Sequence, residues 1–125
     1  MGKRVVEAPA RRSRVELQSI VAVVYVDQDA DTSYLDQDDF DDRRDAYQRG
    51  DFYFVGVRVE AEVVINGTTQ TLVSPGLWGI ESDSGDAYFL EVANEEYDEL
   101  RKTLKTVGVP TSELPAKIDR VERRD

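Results

Sequence analysis

The sequence predicts an α+β fold, a small antiparallel sheet of three or four strands with one long helix packed across one face. Three observations lead there. Apolar and polar residues alternate strictly over 52–65, with Tyr53, Val55, Val57, Val59, Ala61, Val63 and Ile65 on one side and Arg58, Glu60 and Glu62 on the other. Such alternation marks a strand with one buried and one wet face, as in an antiparallel sheet. Asn66-Gly67 follows at once, the favoured pair for a tight hairpin. Further on, Phe89, Ala93, Tyr97, Leu100, Leu104 and Val107 recur at three- or four-residue spacing, the stripe of a helix lying on a sheet.

Residues 1–14 carry Lys3, Arg4, Arg11, Arg12 and Arg14 around Pro9 with no period, and read as a flexible basic arm. Residues 15–26 read as a strand, apolar on both faces from Ile20 to Val26, which predicts a central position or a face packed on a partner. Residues 27–45 hold nine Asp and two Arg, and Thr32 or Ser33 can cap a short helix anchored by Tyr34, Leu35 and Phe40. After the 52–65 strand the chain returns over Thr68 to Val73. A two- or four-residue loop points Leu72 and Gln70 to the core, whereas a three-residue loop points Thr69, Thr71 and Val73 there. Ser74-Pro75-Gly76 ends that strand. Gly76 to Gly85 then reads as a strand-to-helix corner that seats Trp78 and Ile80 in the core, with Asp83 or Ser84 capping the helix. The helix is predicted from about Asp86 to Val107, closed by Gly108 and Pro110. Its acids come first and its bases last, an order that complements the helix dipole. Residues 15–108 thus form one domain. Residues 109–125 form a tail, with a short helix over 113–123 docked weakly by Val109, Leu114, Ile118 and Val121.

Composition narrows the chemistry. The chain has 125 residues, 40% of them apolar, enough for one modest core. It has no cysteine and no histidine, so thiolate chemistry, disulfides and histidine-based nucleophile or zinc systems are excluded. The basic start is followed by no apolar signal segment and no run is long enough to span a bilayer, which predicts a cytoplasmic protein. The net charge of −10 is uneven: +3 over residues 1–26, −7 over 27–45 and −6 over 46–125. Such a surface repels nucleic acid and anionic membrane and attracts a basic partner.

Five candidate sites follow. Asp27, Asp29 and Asp31, with Asp38 at the twelfth place, resemble the opening of a calcium loop. Thr32 stands where the turn glycine belongs, so a solvated acidic loop is the competing reading. Glu81, Asp83 and Asp86 beside Trp78 suggest a paired-carboxylate site, against which stands plain dipole complementarity at a helix start. Arg49-Gly50-Asp51 matches an adhesion tripeptide but reads more simply as a turn into Phe52. Phe52 and Phe54 either cover Tyr34, Leu35 and Phe40 or form an exposed patch, and the first reading is preferred. The sequence therefore predicts no catalytic residue, no metal and no cofactor.

The fifth candidate is the acidity itself. Eight acids from Glu81 to Glu99, with no base among them, join the Asp-rich loop as a second negative block. Carboxylates four apart on a helix advance about 6 Å. Phosphates advance about 3.4 Å per step on one DNA strand. Side by side, the two blocks could imitate a duplex backbone and occupy a basic channel. The residues expected to do so are Asp36, Asp38, Asp39, Asp41 and Asp42 in the loop and Glu91, Glu95, Asp98 and Glu99 on the helix.

The run from Arg49 to Val63, the segment Ser74-Pro75-Gly76-Leu77-Trp78-Gly79-Ile80-Glu81-Ser82-Asp83-Ser84-Gly85, the Glu-rich helix and the upstream Asp31-Thr32-Ser33-Tyr34-Leu35 carry a resemblance. Over roughly residues 15–110 the chain resembles a family of small acidic proteins encoded by phages, plasmids and other bacterial mobile elements. The resemblance implies no catalytic residues. It implies a setting, the cytoplasm of a bacterial host, where small acidic proteins often inhibit defence systems. The expectation is a non-enzymatic binding protein that blocks a basic host protein, such as a CRISPR effector or restriction enzyme, by mimicking DNA charge. Two alternatives are a phage structural or housekeeping module, able to form a homodimer through Ile20–Val26 or Phe52 and Phe54, and a carboxylate- or calcium-dependent enzyme.

Overall fold

The structure, a computed structural model, describes residues 14–125. Apart from Arg14, the expected basic arm lies outside the described residues. The elements are β1 (Val15–Val26), α1 (Asp41–Gln48), β2 (Phe54–Ile65), β3 (Thr68–Val73), β4 (Leu77–Glu81), α2 (Asp86–Val107) and β5 (Val121–Arg123). The fold is α+β, with α2 across one face of the sheet as predicted, but the sheet has five strands and is mixed. β2 is its spine. β1 pairs antiparallel along nearly all of β2, while β3 and β4 share the other edge, β3 against Glu60–Ile65 and β4 against Phe54–Val57.

The hairpin register is that of a two-residue loop, with Ile65 opposite Thr68 and Leu72 opposite Ala61. Asn66 and Gly67 take φ of 51° and 87°, the left-handed pair that matches the twist of the flanking strands. On one face of the sheet Val55, Val57, Val59, Ala61 and Val63 pack against Phe89, Val92, Ala93, Tyr97, Leu100 and Leu104 of α2. This is the stripe read from the sequence, with Val92 added.

Two local expectations are corrected here. No side chain caps α2: Gly85 occupies the cap position at φ 95°, and Ser84 bonds its hydroxyl back to the Glu81 carbonyl. The tail forms no helix over 113–123. Thr111–Glu113 is a 3-10 turn, and Val121–Arg123 becomes β5, parallel to β1. The Asn94 side chain on α2 grips the backbone of Ile118 in both directions, accepting from its N–H and donating to its carbonyl, each at 2.9 Å. These two hydrogen bonds to one residue hold the segment extended. Val109, Leu114 and Ile118 are buried in the main core, so the docking is firm.

The Asp-rich segment forms a lobe on the opposite face. It runs through two short 3-10 turns, Ser33–Asp36 and Asp38–Phe40, into α1. Leu35 and Ala46 pack with Phe52 and Phe54 in a second, smaller core, flanked by Tyr34 and Phe40. Phe52 and Phe54 therefore cover the lobe, as the sequence suggests.

Candidate functional site

The site is built around an irregularity in β4. Val55 faces Ile80 and Val57 faces Leu77, so one β2 residue, Gly56, opposes two residues, Trp78 and Gly79. This is a β-bulge, which bends a strand and re-aims its side chains. Gly79 supplies the positive φ of 76° that the bend uses. The indole of Trp78 is laid over Gly56, on the face away from α2. A β-carbon at Gly56 would sit 2.0 Å from the indole Cε3. Trp78 was expected in the core and is instead 42% exposed, because the bulge turns it out of the α2 face while Ile80 beyond it stays buried. The Trp78 Nε1–H donates to the Pro75 carbonyl at 3.0 Å. The Gly79 N–H donates across the sheet to the Asp27 carboxylate at 2.8 Å.

Trp78 is the shared wall of two grooves. One, of about 600 Å³, is completed by Tyr34, Leu77, Ile80, Glu81, Ser84 and Tyr88. The other, of about 530 Å³, is completed by Val26, Asp27, Gln28 and Asp29. Leu77 and Tyr88 are each about as exposed as Trp78. Aromatic and aliphatic surface thus stands open between carboxylates.

Those carboxylates are held firmly. Glu81 accepts from the Tyr34 hydroxyl on one oxygen and from Arg43 on the other, at 2.6 Å. Arg43 also reaches Asp83 at 2.8 Å and lies 4.1 Å over the Phe52 ring. Burial, the bond to Glu81 and that carboxylate's charge push the Tyr34 hydroxyl above the ordinary phenol range, so it stays a protonated donor. Asp86 pairs with Arg123 at 3.2 Å. Glu81, Asp83 and Asp86 are therefore engaged by arginines, and the network ties the lobe to the start of α2.

The other candidates fall out as follows. The Asp27, Asp29 and Asp31 segment forms turns: Asp27 accepts from the Asp29 N–H and Asp31 from the Ser33 N–H. Among the described residues no three carboxylates are gathered where one cation could sit. Arg49 pairs with its own Asp51 at 2.8 Å, and Gly50 turns the chain at φ 79° toward Phe52.

Asp36, Asp38, Asp39, Asp41 and Asp42 of the lobe and Glu91, Glu95, Asp98 and Glu99 of α2 are all exposed. Asp41 pairs with Arg44 at 2.6 Å and Glu99 with Lys102 at 3.4 Å. Among the described residues no ion pair is made by Asp36, Asp38, Asp39, Asp42, Glu91, Glu95 or Asp98. The two acidic blocks do not lie side by side. The lobe packs through Phe54 on one face of the sheet and α2 through Val55, Val57 and Val59 on the other, because successive β2 residues point to opposite sides. Arg43 and Tyr34 link the lobe to Glu81 and Asp83 before α2.

Sequence reasoning missed Asp27 as the brace of the bulge and Tyr34 and Tyr88 as groove walls. Gly56, a lone glycine inside an alternating strand, was the available signal, since such a residue marks a bulge or a close approach. No protein-family model, curated protein or solved structure matches this chain.

Proposed function

We propose that the chain is a non-enzymatic acidic binding protein whose partner presents a basic surface. In the mobile-element setting its resemblance implies, that partner is a nucleic-acid-binding defence protein of the bacterial host, a CRISPR effector or a restriction enzyme, met in the host cytoplasm. The observation that carries this reading is the set of solvent-facing lobe carboxylates, Asp36, Asp38, Asp39 and Asp42, with no Lys or Arg on them among the described residues. They occupy the same face as the exposed Trp78, and a tryptophan among carboxylates suits an arginine or lysine by stacking and charge together. Asp41 would exchange its internal arginine for one of the partner's. The α2 carboxylates Glu91, Glu95, Asp98 and Glu99 form a second, separate surface rather than the other wall of a duplex mimic. Long-range charge speeds the encounter, and Trp78 anchors the complex.

The test is capture of partners from a bacterial host lysate at low and high salt, with mass-spectrometric identification. The native chain is compared with a variant carrying Asn at 36, 38, 39, 41 and 42, and with Trp78→Ala. The expected outcome is a basic, nucleic-acid-binding protein retained at low salt and lost by the Asn variant. A partner held equally well by that variant at both salts would rule out the lobe as the contact.

A further inference from the structure

Between Glu62 and Glu81 the chain runs for eighteen residues without a charge, in a protein where 34% of residues are charged. The fold lays this stretch along one edge of the sheet, as β3 and β4. The two strands differ in how that edge is treated. β4 is bulged and braced by Asp27, so it offers no regular ladder. β3 has no bulge, no proline and no charge, and five of its six residues are exposed.

The register says which backbone groups of β3 are open. The Val59 carbonyl accepts from the Ser74 N–H and the Val59 N–H donates to the Ser74 hydroxyl, both at 2.9 Å, so Val59 turns its backbone to the β3 side. By alternation Ala61, Val63 and Ile65 do the same and pair with Leu72, Gln70 and Thr68. Thr69, Thr71 and Val73 therefore direct their N–H and C=O groups away from the sheet. Among the described residues nothing bonds to them.

We infer that β3 pairs antiparallel with β3 of a second copy of this chain, making one continuous sheet across a two-fold axis at Thr71. Thr71 then faces Thr71, and Thr69 faces Val73, each pair exchanging two hydrogen bonds. Charge selects the occupant. A basic partner would be met by carboxylates, and β3 itself carries none, the nearest being Glu62 one strand back, opposite Thr71. A second copy brings the same net charge of −10 and is repelled over the acidic lobe and α2. Yet at this edge the nearest opposed carboxylates are the two Glu62, three strand spacings or about 14 Å apart and beyond the screening length at physiological salt. The contact is independent of the proposed basic partner, which uses the lobe.

Sedimentation velocity over a concentration series tests this, read beside amide exchange at Thr69, Thr71 and Val73. A concentration-dependent dimer is expected, one that tightens with added salt as like charges are screened, the opposite of the salt response expected for the basic partner. Thr71→Pro removes an outward N–H and leaves the bonds to β2 in place. Thr71→Glu sets two carboxylates against each other at the axis, each beside its own Glu62. Each should weaken the dimer about tenfold or more while circular dichroism stays native. A chain that stays monomeric at every concentration overturns the proposal, and so does a dimer undiminished by both substitutions.

Discussion

At the scale of single residues, Gly56 and Trp78 act as one unit. The indole occupies the space that any side chain at 56 would need, and a β-carbon there collides with three of its ring carbons at 2.0–2.5 Å. Gly56→Ala should destabilise the fold by about 1–3 kcal/mol, the usual cost of overpacking. It should also shift the tryptophan emission, since Trp78 is the sole tryptophan. In a Trp78→Ala background the same change should cost less than half as much, because nothing then fills the space. Equal costs in the two backgrounds, read from urea midpoints, would mean that the indole does not rest on Gly56.

At the scale of elements, one amide pins the tail beside its buried apolar contacts and the short β5 pairing. Asn94 on α2 makes two 2.9 Å bonds with Ile118 and a third, at 3.0 Å, with the Leu90 carbonyl. Asn94→Ala leaves the Ile118 backbone groups without partners in a half-buried place, at a cost of about 1–3 kcal/mol. Hydrogen exchange should rise at Ile118 and through β5 while β2 and β3 keep their protection. Uniform loss of protection would place the tail in the cooperative core instead. α2 itself was legible to its ends, because a three-to-four period and a left-handed glycine at 108 are local signals. β5 was not: three residues, Val121 to Arg123, carry no period, and they become a strand only because β1 offers an edge.

At the scale of the whole molecule, acid stability has an identifiable contributor. Asp125 is held by Arg123 at 2.6 Å and by the Tyr53 hydroxyl at 2.8 Å, with only 3% of its side chain exposed. The Arg123 bond is the larger cause, and the carboxyl is pulled from 3.8 down to about 2. A carboxyl depressed on folding stabilises the native state above its unfolded value and loses that contribution as pH falls through the folded one. Allowing for solvent screening, the contribution is about 1 kcal/mol, present above about pH 4 and lost toward pH 2. Asp125→Asn should therefore be less stable than the native chain at pH 6, and the gap should close by pH 2. A gap that stays constant with pH, in urea unfolding, would remove Asp125 from the acid response.

The sequence by itself determined the elements that depend on neighbours along the chain. These are the alternating β2, the Asn66-Gly67 turn, the α2 stripe and its stop, and the aromatic cover of the Asp-rich segment by Phe52 and Phe54. It also determined the acidity and the absence of histidine and cysteine chemistry. Tertiary structure alone decided which face each of these occupies. Trp78 is outside because a bulge opposite Gly56 is braced by Asp27, fifty-two positions away. The acidic blocks are divided because Phe54 and Val55, adjacent in sequence, point to opposite sides of one strand. Neither outcome is encoded in a local period, since both rest on pairings between distant segments, and those pairings put the groove and the open β3 edge on the surface.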